Sequence, residues 1–415
     1  MIIGENPSHG GISLISRGGF KEINGDNYRK GRKCMAKRMT HRERLLAAIS
    51  HEQPDMAPID LGGTVDSSIV VEGYEKLKNH FGIEGENKIC HRMMRVVQVD
   101  ERILRSLDID TRAVFIGAPM KGEKELGPGR YRDVWGVERI HPEHSYYHDQ
   151  VSFPLSGDIT ISDISRYPWP DPDNPGFARG LKDRVKWIRE NTDCAAILAI
   201  PAPCVHTSQY LRGFEDWFCD FVINPRILEA LLDAVLEVNL RIAKHELREV
   251  GQEVDVVICA DDLGAQEGLQ VSYDHFSKYI KPRLEKYLKQ IHDLSTAKVL
   301  FHTCGSVASI IEDLIEIGVD VLNPVQVTAA GMNPAELKRK YRGRMAFWGG
   351  MDTQKILPRG SVKDVKKAVE ELVEQMGEGG GFVFSAVHNI QPDVPLDNIL
   401  AMFHHVREYV PSFAK

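Results

Sequence analysis

The sequence predicts an α/β protein built as a (β/α)8 barrel with one inserted subdomain or lid. Eight short apolar runs rich in Val, Ile, Ala and Phe alternate with amphipathic stretches of helical length. Strands that alternate with helices pair in parallel through right-handed crossovers, and eight such units close into a TIM barrel. A doubly wound open sheet is the alternative, but no GxGxxG fingerprint follows the first run.

The elements follow one another from a weakly patterned start. Residues 1–38 are rich in Gly, Ser, Asn and Lys and lack apolar periodicity, so we expect a loose N-terminal extension before a barrel over 39–415. Thr40 and Glu43 form a capping-box pattern that predicts a helix in "RLLAAI". The stretch 118–177 is too long and aromatic for a plain connection, which predicts the inserted subdomain or lid. The predicted strands are 57–61, 113–117, 195–200, 254–262, 298–304, 319–326, 345–352 and 381–389.

Composition excludes several classes of function. The chain has 415 residues, 42% hydrophobic and 27% charged, and a formal net charge of -7, which argues against a nucleic-acid partner. No apolar run approaches the roughly 18–20 residues that cross a bilayer, and no secretory signal opens the sequence, so we expect a cytoplasmic protein without a membrane partner. Seven scattered cysteines without a CxxC pair predict free thiols.

Polar side chains recur where the predicted strands end. In a barrel these ends share one face, which carries the chemistry, and such groups cost free energy to bury unless they are paired. The residues are Asp60, Asp261, Asp262, His302, Cys304, Asn323, Gln326, Asp352, His388 and Asn389.

His302 and Cys304 form the most specific pair in this set. They lie two residues apart in one strand, so their side chains share a face, and an imidazole beside a thiolate suits a zinc site with one open position. His388, at the end of the last strand, is the expected third ligand. The alternative is that His302 bonds locally and Cys304 acts as a small hydrophobe.

The remaining strand-end residues predict roles around the metal. Adjacent Asp261 and Asp262 point to opposite sides of a strand, so at most one faces the pocket, for substrate positioning, proton transfer or metal binding, while a helix cap is the alternative. We expect a pocket lined by Asp60, Asn323, Gln326, Trp348, Asp352 and Asn389. Tyr146, Tyr147 and Trp169 are further candidate aromatic walls, with core packing as the alternative.

Several longer segments carry a family resemblance. "MTHRERLLAAISHEQPDMAPIDLGG", "LRGFEDWFCDFVINP", "FHTCGSVASIIEDLIEIGVDVLNPVQ", "FWGGMDT" and "VHNIQPDVPLDNI" together resemble the uroporphyrinogen decarboxylase superfamily. True decarboxylases of that superfamily carry an Arg-rich segment near the N-terminus, and nothing like it follows "APIDLGG". Its cobamide-dependent methyltransferases hold zinc with an HxC pair and a later Cys. His302 and Cys304 match the pair, and His388 stands where the later Cys would be, which weakens the inference of coenzyme M as substrate.

The resemblance implies a zinc-assisted methyltransferase. Such an enzyme moves a methyl group between a small methylated substrate, such as a methoxylated aromatic, and cobalamin carried by a separate corrinoid protein. The direction of transfer stays open, and a monomer and a homodimer are equally compatible. The alternatives are a cofactor-free decarboxylase of the uroporphyrinogen type and an idle barrel that only binds a corrinoid protein.

Overall fold

The computed structural model describes residues 38–120 and 122–414. The predicted loose extension over residues 1–38 therefore falls, apart from Arg38, outside the described residues. Met39–Lys415 forms one compact unit. Its first helix begins as predicted, because the Thr40 hydroxyl accepts the Glu43 amide at 3.2 Å and the Glu43 carboxylate accepts the Thr40 amide at 2.8 Å.

Thirteen strands and fifteen α-helices are present in the described residues. The strands are β1 (Ile89–His91), β2 (Val96–Val97), β3 (Thr111–Val114), β4 (Lys124–Gly127), β5 (Arg130–Arg132), β6 (Glu138–Ile140), β7 (Asp149–Ser152), β8 (Ala195–Ala199), β9 (Val256–Ala260), β10 (Lys298–His302), β11 (Val321–Asn323), β12 (Ala346–Trp348) and β13 (Phe382–Val383). The helices are α1 (His41–Ile49), α2 (Val71–Phe81), α3 (Glu101–Ser106), α4 (Ile161–Ser165), α5 (Leu181–Asn191), α6 (Val205–Arg212), α7 (Phe214–Asp220), α8 (Pro225–Val250), α9 (Tyr273–His275), α10 (Lys281–Leu294), α11 (Ile311–Glu316), α12 (Pro334–Tyr341), α13 (Ile356–Arg359), α14 (Val362–Met376) and α15 (Leu396–Glu408).

Seven of these strands form one parallel sheet in the order β13-β12-β11-β10-β9-β8-β3. The predicted first strand joins the two edges of this sheet by a short bridge centred on Ile59. The Asp60 amide donates to Phe384 beyond β13 at 2.9 Å, and the Asp110 amide before β3 donates to Ile59 at 3.0 Å. The predicted α/β barrel is thereby confirmed. The bridge is short because Pro58 has no N–H to extend the ladder.

Alternate residues of the barrel strands point inward and pack into a core. Ile197, Ile258, Leu300 and Trp348 belong to this interior cluster, and each is buried. Leu45 of α1 packs into the same cluster, so the first helix covers one end of the barrel. Side chains that alternate in this way fill the barrel and leave the chemistry to its rim.

The predicted insertion contains a four-stranded antiparallel sheet, β4-β5-β6-β7, between β3 and β8. Buried Arg212 at the end of α6 holds the chain that follows this sheet. It donates to the carbonyl oxygens of Leu155 at 2.7 Å and Gly157 at 2.6 Å, and it pairs with Asp220 at 2.7 Å. No helix in the described part of the chain is long and apolar enough to cross a membrane.

Candidate metal site

His302, Cys304 and His388 meet at the carboxyl ends of β10 and β13. One ligand atom from each lies within 4.8 Å of the others. His302 Nε2 is 3.5 Å from Cys304 Sγ, and the centroids of the two imidazole rings are 5.7 Å apart. The structure thus brings together the three residues that the sequence nominated as metal ligands.

Asn323 at the end of β11 fixes the orientation of His302. Its Oδ1 lies 2.5 Å from His302 Nδ1, and its Nδ2 donates to the Trp348 carbonyl oxygen at 3.0 Å. Because an amide oxygen only accepts, Nδ1 of His302 carries a proton, and Nε2 is the ring nitrogen that faces the cluster and is left to bind a metal. This arrangement, a ring nitrogen held from behind by an acceptor, is typical of a metal-binding histidine.

Asp66 is a site residue that sequence reasoning missed. Its side chain is 8% exposed, and in the described part of the chain Oδ2 has no hydrogen-bond partner. Oδ2 lies 3.6 Å from His302 Nδ1, and Oδ1 lies 3.9 Å from His388 Nε2. A buried carboxylate oxygen without a partner is costly unless a cation lies nearby. Its signal was its place in the loop "GGTVDSS", which leaves the first strand at the same barrel end.

The protonation states of the cluster fit a divalent cation. Burial, aided by the carboxylates of Asp262 and Asp66, raises the pKa of the Cys304 thiol well above its usual value. Burial also lowers the pKa of His388, which leaves that imidazole neutral. A neutral His388 imidazole and the Cys304 thiol beside the unpartnered Oδ2 of buried Asp66 form a set of donors that suits a zinc ion bound by two nitrogens and one sulfur.

The two adjacent aspartates after β9 have different surroundings. Asp261 is fully buried and accepts the backbone N–H groups of Cys204, Val205 and His206 at 2.8–2.9 Å, so it caps the start of α6. Asp262 Oδ1 accepts the Cys304 amide at 2.7 Å and lies 3.9 Å from His302 Nε2. Both carboxylate oxygens of Asp261 accept hydrogen bonds from the start of α6, so Asp262 is the remaining candidate for the expected catalytic role.

His206 is the second residue that sequence reasoning missed. Its Nε2 lies 3.3 Å from Asp262 Oδ2, and its ring stacks on Tyr210 with the centroids 5.9 Å apart. Burial lowers the pKa of His206, but the hydrogen bond and charge of Asp262 outweigh that effect and raise the pKa to about 9. His206 follows β8 in "PAPCVHTSQ", at the barrel end where the other site residues lie.

Three of the six residues expected to line a substrate pocket form hydrogen bonds within the protein. Asp60 is 1% exposed, and it accepts hydrogen bonds from Trp348 Nε1 at 2.9 Å and Thr111 Oγ1 at 2.5 Å. Trp348 itself is fully buried in the barrel interior. Asp352 Oδ1 accepts the amides of Gln354 at 2.7 Å and Lys355 at 3.2 Å, so it caps a local turn. We correct the expectation for Asp60 and Trp348, because both are buried in the barrel interior and bond each other, whereas the expectation for Asp352 stays a prediction.

The other three lie around the cluster. Asn323 orients His302, and Gln326 Oε1 accepts the Gly305 amide at 2.7 Å, which fixes the loop of Cys304. The side-chain amide of Asn389 lies 3.3 Å from the hydroxyl of Tyr147.

Tyr147 extends from the insertion to the cluster. Its hydroxyl lies 3.4 Å from His388 Nδ1 and accepts a hydrogen bond from Gln391 at 2.8 Å. Of the candidate aromatic walls, Tyr147 is therefore the one that contacts a candidate ligand. The insertion covers part of the site through this side chain.

The fold and this cluster define an α/β-barrel protein with a candidate metal site at the carboxyl ends of its strands. Residues 149–409 match the family model described as uroporphyrinogen decarboxylase (URO-D). Since this match covers more than half of the chain, the protein belongs to that family.

Relatives within the family carry two kinds of name. The chain is 22% identical to a uroporphyrinogen decarboxylase from Methylococcus capsulatus, over 61% of this chain and 70% of the relative. It is 24% identical to the methylcobamide:CoM methyltransferase MtaA from Methanosarcina barkeri, over 55% of this chain and 62% of the relative. The match thus spans less than two thirds of the methyltransferase. The chain belongs to an enzyme family in which decarboxylases and methyltransferases both occur.

A solved structure agrees with the fold. The match to a methyltransferase from Methanosarcina mazei has a TM-score of 0.61 at 20% identity and covers 89% of this chain and 99% of the other. At this level of identity the likeness supports the barrel fold alone.

Proposed function

We propose that the protein is a methyltransferase that moves a methyl group between a small methylated substrate and cobalamin carried by a separate corrinoid protein, with the assistance of zinc. The observation that carries this proposal is the convergence of His302, Cys304 and His388 beside the unpartnered oxygen of Asp66. Relatives named as methylcobamide methyltransferases support the same kind of reaction. The cytoplasmic location and the monomeric or homodimeric state stay predictions.

The charges around the cluster favour this reaction over decarboxylation of a porphyrinogen. A polycarboxylic substrate needs free cationic side chains, whereas Asp66 and Asp262 present carboxylates that would repel it. The arginines near this end already have acidic partners. Arg139 pairs with Asp133 at 2.9 Å, and Arg212 pairs with Asp220 at 2.7 Å.

The ligand set assigns a role to each neighbouring residue. Zinc would be held by His302, Cys304 and His388, and when bound it supplies a Lewis acid with an open coordination position. Asn323 leaves Nε2 of His302 to bind the metal, and Asp262 fixes the Cys304 backbone through its amide. His206 accepts the Asp262 backbone N–H at Nε2 and thereby fixes the position of that aspartate, and the Tyr147 hydroxyl contacts His388 Nδ1. Methoxylated aromatics are the proposed substrate class, and the direction of transfer is left to experiment.

The proposal is tested by zinc analysis and by methyl-transfer assays of matched cysteine variants. We expect about one zinc per chain in the wild type and a loss of most of it in Cys304→Ser, since three protein ligands hold such a site. Cys219→Ser, which changes an exposed thiol of α7, is the control and should keep both zinc and activity. Transfer is measured from aryl methyl ethers, methylamines and methyl thioethers to cob(I)alamin. A zinc-free wild type, together with unchanged activity in Cys304→Ser, would refute the proposal.

A further inference from the structure

The Tyr147 hydroxyl brings the insertion into contact with the candidate metal site, since this residue lies in the connection between β6 and β7. We propose that Tyr147 is a positioning residue, which accepts the proton of His388 at Nδ1 and thereby leaves Nε2 as the ring nitrogen that binds zinc. This inference rests on the proposed zinc-assisted transfer and makes the insertion a part of the metal site.

Gln391 supplies one hydrogen bond to the Tyr147 hydroxyl. Its Nε2 donates to that hydroxyl at 2.8 Å and to the backbone carbonyl oxygen of Asn389 at 3.3 Å. Because a carbonyl oxygen only accepts, the second contact fixes which end of the Gln391 amide carries the N–H groups. Gln391 therefore occupies one of the two lone pairs of the Tyr147 oxygen.

Asn389 accepts the proton of the same hydroxyl. Its amide nitrogen donates to the backbone carbonyl oxygens of Val65 at 2.5 Å and Asp66 at 3.3 Å. The opposite orientation of the amide would place its oxygen against these two carbonyl oxygens. The amide oxygen therefore faces the Tyr147 hydroxyl at 3.3 Å, and the hydroxyl uses its single proton there.

This network leaves one role for His388. The Tyr147 hydroxyl has only its second lone pair for His388 Nδ1, which lies 3.4 Å away. Nδ1 must therefore carry the proton of this hydrogen bond, and Nε2 is left to bind a metal. The contact repeats at His388 what Asn323 does at His302, where an acceptor also faces Nδ1.

The nearby carboxylate of Asp66 makes this partner necessary. Its Oδ1 lies 3.9 Å from His388 Nε2, too far for a hydrogen bond but close enough to attract a proton to that nitrogen. A protonated Nε2 has no lone pair for a metal. The Tyr147 hydroxyl opposes this attraction, because it stabilises the tautomer whose proton is on Nδ1.

Packing holds the Tyr147 ring in place independently of its hydroxyl. The ring packs against a small apolar cluster that includes Val65 and Met94. The backbone N–H of His148, the next residue, donates to the Met93 carbonyl oxygen at 2.8 Å. Tyr147→Phe therefore keeps these contacts and removes only the hydroxyl.

The test measures zinc affinity by competition with a chromophoric chelator. Tyr147→Phe should bind zinc about 10- to 100-fold more weakly than the wild type, the range for loss of a hydrogen-bond partner of a metal-binding histidine. Tyr167→Phe is the matched control, because it removes a hydroxyl that donates to the Trp135 carbonyl oxygen of the insertion at 2.5 Å. The control should bind zinc as the wild type does, and equal weakening in both variants would overturn the inference.

Nitrogen-15 NMR of the metal-free, histidine-labelled protein separates positioning of His388 from a direct contact between Tyr147 and the metal. The spectra are recorded at about pH 8, above the ordinary histidine pKa of about 6.5, and His388→Ala assigns the signal. The wild type should carry the His388 proton on Nδ1, and Tyr147→Phe should show a larger share of rings protonated at Nε2. A wild-type ring protonated at Nε2, or the same tautomer in both proteins, would overturn the inference.

The zinc measurements also distinguish failure of this inference from failure of the proposed function. Wild-type zinc binding that Tyr147→Phe leaves unchanged would overturn the inference and leave the proposed function standing. A wild type that binds no zinc would refute the zinc assistance of the proposed function and overturn the inference with it.

Discussion

The buried carboxylates at the two ends of the barrel have different kinds of partner. At the amino end, Asp110 and Asp255 come directly before β3 and β9, and each is paired with two arginines. Asp110 lies 2.6 Å from Arg44 and 2.5 Å from Arg407. Asp255 lies 2.7 Å from Arg42 and 2.9 Å from Arg189. Every negative charge of these two residues therefore has cationic partners within the chain.

At the carboxyl end, the carboxylates of Asp66 and Asp262 face histidines and a thiol instead. Asp66 keeps an oxygen without a hydrogen-bond partner, and Asp262 shares its charge between His206 and the Cys304 amide. The ion pairs of the amino end are completed by folding alone, and we propose that a cation completes the carboxyl end. Barrels with this division keep stability and chemistry on separate faces.

The largest expected effect on stability comes from breaking an amino-end pair. Asp110→Asn removes the negative charge that pairs with Arg44 and Arg407. Removal of one member of a buried ion pair lowers the free energy of unfolding by about 3–5 kcal/mol. Urea unfolding should show this loss, while the zinc content per folded chain stays that of the wild type. Asp66→Asn is the control at the other end, and it should leave the unfolding free energy of the metal-free protein nearly unchanged. Loss of zinc without loss of stability in Asp110→Asn would contradict the division between the two faces.

The sequence predicts only some of the residues that meet at the carboxyl end, because strand periodicity tells where a side chain points only in a strand or directly after it. His302, Cys304 and His388 were predictable because they lie in or directly after apolar runs, where a strand end fixes the face of each side chain. Asp66 lies inside a loop and His206 lies in the first turn of α6. At neither position does strand periodicity tell which way a side chain points. The expectation that Asp60 lines the pocket was wrong for a related reason.

Asp60 ends its run like the site residues, yet its carboxylate accepts hydrogen bonds from Trp348 and Thr111 inside the barrel. A strand-end position predicts the end of the barrel correctly, but the choice between the interior and the open pocket depends on side-chain partners contributed by other strands. The eight-unit barrel, by contrast, followed from alternation alone, and only the short bridge at Ile59 departs from it, since Pro58 limits the hydrogen-bonding ladder.

An intermediate effect is expected for the residue that orients a candidate ligand. Asn323→Ala removes the acceptor behind His302 Nδ1, and loss of such a partner weakens metal binding by about 10- to 100-fold. Competition with a chromophoric chelator measures this affinity. Asp352→Asn, which changes a turn cap near the same barrel end, should bind zinc as the wild type does. An unchanged affinity in Asn323→Ala would mean that Nε2 of His302 does not bind the metal.

The smallest expected effect concerns a histidine that lies between two carboxylates at the amino end. His41 Nε2 is 2.8 Å from Asp108 and Nδ1 is 2.7 Å from Asp193. The hydrogen bond to Asp108 raises the pKa of His41 against the opposing effect of burial, with Asp110 and Asp193 adding to the increase. Since carboxylates accept at both nitrogens, the ring is an imidazolium with both protons in use.

The sign of the pH dependence follows from that raised pKa. A group whose pKa is higher in the folded than in the unfolded chain stabilises the fold fully below its unfolded pKa of about 6.5, and the stabilisation fades as the pH rises through the folded pKa. His41→Gln should therefore cost about 0.2–1 kcal/mol, the range for partly exposed ion pairs, in urea unfolding at about pH 5.5, and less at about pH 9. A cost that stays constant with pH would show that His41 is neutral in the folded protein. In that case this position of the amino end would contain a neutral polar contact instead of an ion pair.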